Sequence, residues 1–339
     1  MFDFRSDNVV EAHPAIMAAL LAANSGSQTS YGGDDYSVRM AAQLRTVFAT
    51  DCAAFPIGTG TAANALALAL LAGPGQRIVA QDSAHVVDGE EGAPEFYSGA
   101  TLLTVPTEGG KFRMDALAEA IASVPGGAVT LTQASELGTL YTPAEIRAVA
   151  DLAHARGLLV HMDGARFANA VVALDAHPAD LTWRAGIDAL SFGATKNGAL
   201  AAEAVIFFKP GLGDDFERRR KRGGHTFSKM RFISAQLEAY LDGDLWLANA
   251  RHANAQAARL GAALAAVPGV TLVAPVEANE VFVTVAPALM QGLLARGFKF
   301  FAMDDRTFRL VCAWNTGDAA VDAIVAATRE LAEGRAAAE

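Results

Sequence analysis

From about residue 50 to 210 the chain alternates short β-branched and apolar runs with alanine-rich stretches of helical length. No other feature restricts the possible folds as strongly. Runs at Arg77–Gln81, Thr101–Val105, 128–132, 158–163, 187–191 and 203–209 read as strands. Helices are expected over 61–72, 114–124 and 143–156. The last is punctuated at both ends, with Thr142 as N-cap, Pro143 in the first helical position, Glu145 in the first turn and Gly157 at the stop. Strands separated by helices of this length pair in parallel through helical crossovers. The pattern therefore predicts an α/β fold with a mostly parallel sheet and helices on both faces. After about residue 235 it changes to a long helix over 245–266, strands near 270–273, 280–285, 299–303 and 308–314, a helix over 287–296 and a final helix. Three parts are expected: an N-terminal arm over 1–14, a large domain over 15–240 and a small α+β domain over 241–339. The alanine-rich ending GRAAAE should fray.

With 52 % hydrophobic and 19 % charged residues the chain can build a large interior, which excludes a disordered protein. Its 339 residues suit about two domains. A net charge of −10 argues against nucleic acid or an anionic membrane as partner. The single basic run, ERRRKR, reads as the solvated face of a helix. Cys52 and Cys312 stand far apart among small or apolar neighbours, as reduced core thiols do in the cytoplasm. The start, MFDFRSDNVV, carries charge where a secretion signal would be apolar, and no apolar run approaches the ~20 residues of a membrane span. A soluble, cytoplasmic protein is expected.

In an open parallel sheet, ligands gather at the carboxyl ends of the strands. Lys196, in SFGATKNG, follows one such strand among residues too small to pack against it. It is either a solvated loop lysine or an amine free to form an imine. Asp163 ends a strand buried on both faces, and an unpaired carboxylate there is costly. Its partner is either Arg166 or the protonated ring nitrogen of a cofactor. The loop GTGTAAN leads into a helix, where Gly60 and Thr61 offer either plain capping or a phosphate cradle. His85 follows the next strand, as a surface or core histidine or as a catalytic one. Together an amine, a buried acid, a phosphate cradle and a flat imidazole suit pyridoxal 5′-phosphate.

The segments FRSDN (4–8), SYGGDD (30–35), GTGTAAN (58–64), the alanine–histidine pair at 84–85, HMDGARFANA (161–170), SFGATKNG (191–198), SKMRF (228–232) and FRLVCAWNT (308–316) run nearly end to end. In them the chain resembles the fold-type I pyridoxal-phosphate enzymes, and within those the low-specificity L-threonine aldolases of the β-eliminating lyase group. The resemblance implies a seven-stranded sheet, a small C-terminal domain, and cleavage of L-threonine or L-allo-threonine to glycine and an aldehyde. Another pyridoxal-phosphate reaction (phenylserine cleavage, β-elimination or transamination) stays open as the alternative. It further implies that Lys196 carries the cofactor, Asp163 pairs with its ring nitrogen, and His85 stacks on the ring and serves as acid or base. Gly60 and Thr61 would hold the phosphate, with Arg231 reaching it from a neighbouring subunit of a homodimer or homotetramer. Ser6, Arg166 and Arg309 would clamp the substrate carboxylate, Arg166 also touching the cofactor. Tyr31 would lie near the cofactor or the subunit interface, and no metal ligand is implied.

One departure is visible. Where the group usually carries a histidine that handles the substrate β-hydroxyl, this chain reads QASELGT, with Ser135 at that place. The β-hydroxyl base is therefore open, His85 being the first candidate and Ser135 or a water its helper. His161 should be a satisfied core histidine.

Overall fold

The computed structural model describes residues 2 to 336. Its main sheet holds β1 (Ala53–Ile57), β2 (Arg77–Gln81), β3 (Thr101–Val105), β4 (Gly127–Thr132), β5 (Leu159–Gly164), β6 (Ala189–Gly193) and β7 (Glu203–Phe207). The spatial order is β1-β7-β6-β5-β4-β2-β3. Only β7 runs antiparallel to its neighbours; β2 to β6 pair in parallel throughout. Strands β4, β6 and β7 are buried along their whole length, which is why they read as continuous apolar runs without alternation.

Successive side chains of each strand enter opposite cores, as the two-residue period requires. Val129, Leu131, Val160, Met162, Ala204 and Ile206 pack into one cluster with the Asp35–Phe48 and Pro143–His154 helices. Ala128, Ala189, Val205 and Phe207 pack into the other, under the Gly60–Leu71 helix. The strand that the sequence pattern missed is β1, AAFPI. It sits at the sheet edge, the place where a strand tolerates a residue such as Pro56 that has no N–H to donate. The basic run departs from expectation as well. Arg220 is buried, and its Nη1 donates to the Pro56 carbonyl at 2.6 Å.

Beyond the sheet, a second cluster forms around β8 (Thr271–Leu272), β9 (Glu280–Thr284), β10 (Phe301–Ala302) and β11 (Thr307–Val311), in the order β8-β9-β11-β10. Helices Leu245–Ala265, Pro287–Ala295 and Asp318–Ala336 cover it. The last helix continues through much of the ending expected to fray; residues 337–339 lie outside the described range. The N-terminal segment is tied to this second unit. Phe4 is buried in its cluster, donates to the Lys299 carbonyl at 2.7 Å and accepts from Val311 at 2.9 Å. That docking carries Ser6 and Asp7 to the mouth of the main sheet. Cys52 and Cys312 are both buried and unpaired, and burial pushes their thiols up to about 11 and about 12, so both stay protonated and unreactive. Among the described residues no helix is long and apolar enough to cross a membrane.

Candidate active site

The carboxyl ends of β4, β5 and β6 converge on a cavity of about 580 Å³. Register places Asp163 beside Thr132 on one side and Ser191 on the other. After β6 the chain must turn sharply against β5. Gly193 allows this, since a Cβ there would lie 2.6 Å from the Ala165 carbonyl oxygen. The short turn Thr195–Asn197 follows and brings Lys196 to the same cavity as Asp163.

Asp163 is buried and, among the described residues, meets only neutral donors. Its Oδ2 accepts from Asn64 Nδ2 at 2.7 Å, and its Oδ1 from the Ala165 N–H at 3.0 Å. Arg166, the structural partner that the sequence offered, makes its ion pairs elsewhere. Asn64 also donates to Glu90 Oε1 at 2.8 Å, and that oxygen stands 3.1 Å from His85 Nδ1. One amide therefore joins the acid of the cavity floor to the imidazole at its wall. The hydrogen bond with Glu90 raises the His85 pKa against the opposing effect of burial. Burial in turn raises that of Glu90. The ring rests on bare backbone: a Cβ at Gly89 would come within 2.6 Å of it.

At the next wall the Gly60–Leu71 helix points its N-terminus at the cavity. Thr59 Oγ1 caps it by accepting from the Ala62 N–H at 3.2 Å. The N–H groups of Gly60 and Thr61 precede the first intrahelical bond. A Cβ at Gly60 would meet nothing within 4 Å, so the space over these donors is open. Glu203 closes the floor, accepting from the Ala194 N–H at 2.7 Å, and burial pushes its carboxyl up to about 7.

The opposite end is built from guanidinium groups and acids. Arg166 donates through Nε and Nη2 to Asp7 at 2.7 and 3.1 Å, and its Nη1 lies 3.3 Å from Glu280. Burial disfavours the Arg166 cation, but Asp7 and Glu280 more than offset this and raise its pKa. Burial likewise opposes the Asp7 carboxylate, which Arg166 and then Lys196 hold below its ordinary range. Arg309 reaches Glu280 at 3.4 Å and the Arg5 carbonyl at 3.3 Å, while its Nε is buried without a partner among the described residues.

Of the residues singled out from sequence, Ser6, Gly60, Thr61 and His85 line the cavity, as do Asp163, Arg166, Lys196 and Arg309. Two do not. Arg231 lines a separate cavity of about 370 Å³ with Lys229 and residues 26–30, donating to the Gly26 carbonyl at 3.0 Å. Tyr31 is half exposed under the Lys221 ammonium, 3.9 Å from its ring centre. Ser135 is also outside: it is fully buried, with Oγ 2.7 Å from Thr139 Oγ1. His161 is the core histidine expected, held between Thr130 at 2.9 Å and Ser191 at 3.0 Å, and burial pushes its pKa down to about 4. Sequence reasoning missed Asn64, Glu90, Asp7, Glu280, Glu136 and Glu203. Two carried a signal: Asn64 is the polar residue in an Ala/Leu helix, and Glu203 opens an otherwise apolar strand.

An amine, an acid that lacks a cation, open helix N–H groups and a flat imidazole share one chamber, so the donor set fits pyridoxal 5′-phosphate. Sheet order and strand-end cavity together define a fold-type I α/β enzyme. The family model described as Beta-eliminating lyase matches residues 3–288. A low specificity L-threonine aldolase from a Pseudomonas species is 41 % identical over 97 % of this chain and 97 % of that protein. One from Pseudomonas aeruginosa is 43 % identical over 92 % of this chain and 93 % of its own. The solved threonine aldolase of Leishmania major superposes with a TM-score of 0.92 at 26 % identity, covering 98 % of this chain and all of that one. Serine palmitoyltransferase from Sphingomonas wittichii, at 17 % identity and TM-score 0.74 over 98 % of this chain and 87 % of its own, shares the fold. The chain belongs to the beta-eliminating lyase family.

Proposed function

We propose that this chain is a pyridoxal-phosphate-dependent carbon–carbon lyase that cleaves L-threonine, L-allo-threonine and related 3-hydroxy amino acids to glycine and an aldehyde. The observation that carries the reading is Lys196 and Asp163 facing one cavity, with Asp163 held only by neutral donors. In this assignment Lys196 holds the cofactor, Asp163 pairs with its ring nitrogen, and Gly60 and Thr61 bind its phosphate. When bound, the cofactor supplies the electron sink that makes Cα–Cβ cleavage possible.

The chain's own residues do the rest. Asp163 keeps a proton on the ring nitrogen, and Asn64 fixes the carboxylate that does so. His85, pressed against Gly89, presents a flat face to the cavity. Arg309, with its unpaired Nε, and the Ser6 hydroxyl anchor the substrate carboxylate, and Arg166 supports them from its ion pairs. That anchoring would fix the orientation of the bonds at Cα within the cavity. Lys196 Nζ, which lines the same cavity, would be the group to return a proton to Cα.

A homodimer or homotetramer in the cytoplasm is part of the same proposal. Arg231 and Tyr31 lie outside their own chain's cavity, which suits a site completed by a second copy. Sedimentation of the purified protein measures the assembly. The activity is tested by incubating the loaded protein with L-threonine: glycine and acetaldehyde in equal amounts are expected. Release of ammonia and a 2-oxo acid, with no aldehyde, overturns the reading in favour of elimination.

A further inference from the structure

We propose that Glu136 takes up the proton of the substrate β-hydroxyl during cleavage; the inference rests on the aldol-cleavage reading above. Ser135, the residue that sequence alignment set at this place, is committed. Its Oγ lies 2.7 Å from Thr139 Oγ1 and accepts from the Thr139 N–H at 3.2 Å. It is also packed so closely on Gly110 that a Cβ there would fall 2.4 Å from it. The next residue faces the other way. Glu136 lines the cavity, on the turn that follows β4.

Its two oxygens have different tasks. Oε1 accepts from the His85 backbone N–H at 3.1 Å, which fixes the carboxylate against the wall that carries the imidazole. Oε2 has no hydrogen-bond partner among the described residues. Glu136 lines the same cavity as His85 on one side and Arg166 and Arg309 on the other. A substrate held by its amine at the Lys196 end and by its carboxylate at Arg309 must direct its third Cα substituent, the β-carbon, to one remaining wall. Glu136 supplies the free acceptor on such a wall.

His85 is the competing base, and the geometry gives it other work. Its Nδ1 is held by Glu90 Oε1 at 3.1 Å, and its ring is seated on the Gly89 backbone. In the proposed step the β-O–H bond breaks and its proton passes to Oε2 of Glu136. The O–H electron pair becomes the second bond of the aldehyde carbonyl, while the Cα–Cβ pair stays with Cα. Uptake of one proton at Cα then completes glycine, and return of Glu136 to its carboxylate restores the proton count.

The test separates chemistry at Cβ from chemistry at Cα. Glycine has no β-hydroxyl, yet its α-hydrogen exchanges with deuterated solvent through the same amine, ring and anchor. Glu136→Gln keeps an acceptor for the His85 N–H but removes the base. Cleavage of L-threonine should fall about 100-fold in kcat, in line with the loss of a general base. Glycine exchange should change by less than about 5-fold, because no proton moves at oxygen there. The melting temperature of the cofactor-free chain should stay within about 2 °C, and Ser135→Ala should leave kcat within about 3-fold. Equal loss of cleavage and exchange in Glu136→Gln overturns the proposal, since it marks a structural role exerted through His85. Undiminished cleavage overturns it too. A wild-type enzyme that exchanges glycine but yields no aldehyde from threonine refutes the aldolase reading instead.

Discussion

The two ends of the cavity handle buried charge in opposite ways. At the sheet end Asp163 meets an amide and a backbone N–H and no cation. Neutral hydrogen bonds make a buried carboxylate tolerable but do not cancel its charge. That end is therefore incomplete until a cation arrives. At the far end Arg166 and Arg309 already face Asp7 and Glu280, two guanidiniums against two acids. A ligand carboxylate adds there to a set balanced in advance, with the unpaired Arg309 Nε as its clearest opening. Tight, lasting retention is thus expected at the sheet end and exchangeable binding at the other, which suits a resident cofactor and a passing substrate.

The largest effect should come from removing the amine. Lys196→Ala is expected to lower turnover by about three orders of magnitude, with the fold retained. Borohydride should label the parent with a pyridoxyl group, detected as added mass, and leave the variant unlabelled. A labelled variant would move the cofactor lysine elsewhere. Next, Asp163→Asn keeps the hydrogen-bonding shape but removes the charge that the sheet end holds in reserve. A drop of about 100-fold in kcat is expected, with a much smaller change in KM. Full turnover in that variant would mean the sheet end needs no cation after all.

The guanidinium end should split by residue. Arg309→Ala removes a charged hydrogen-bond donor worth about 1.5–3 kcal/mol, so KM should rise by roughly 10- to 100-fold. Arg309→Lys should recover little, because an ammonium lacks the planar fork. Arg166→Ala leaves Asp7 buried without its cation and Glu280 with Arg309 alone, and should cost about 3 kcal/mol of stability before any effect on binding is read. Melting curves and KM measured side by side decide it. If Arg166→Ala keeps its stability and loses only affinity, the charges at that end are not balanced beforehand.

The same contrast governs what the sequence revealed. All six strands expected between residues 77 and 209 fall at their places to within two residues at each end, because buried strands announce themselves as apolar runs between turn residues. Lys196, Asp163 and the Gly60 loop were legible because each sits on a strand end or helix start set by local pattern. The partners were not. Asp7 comes from the N-terminal segment and Glu280 from the second sheet, and nothing near either residue says that both will close on Arg166. Glu90 reads as one acid in the run DGEEG until the fold turns it toward Asn64 and His85. Resemblance pointed at position 135 for the β-hydroxyl contact. Only the packing of Ser135 on Gly110 and Thr139 moves attention one residue on.

The smallest predicted effect concerns Glu90, which couples the sheet end to the imidazole. Its bond raises the His85 pKa above the ordinary value of 6.5, with Asp163 adding to the rise and Lys196 opposing it. A histidine whose folded pKa is raised contributes stability that is fully present below its unfolded pKa and fades as pH climbs through the folded one. Glu90→Gln should therefore lower the His85 pKa, read from the imidazole proton resonances. The parent's stability advantage over the variant should be greatest below pH 6.5 and shrink as the pH rises above that value, which melting temperatures taken as a function of pH would measure. An unchanged titration in Glu90→Gln would show that the imidazole is held by its seat on Gly89 alone, and that the amide of Asn64 carries no electrostatic link between the two walls.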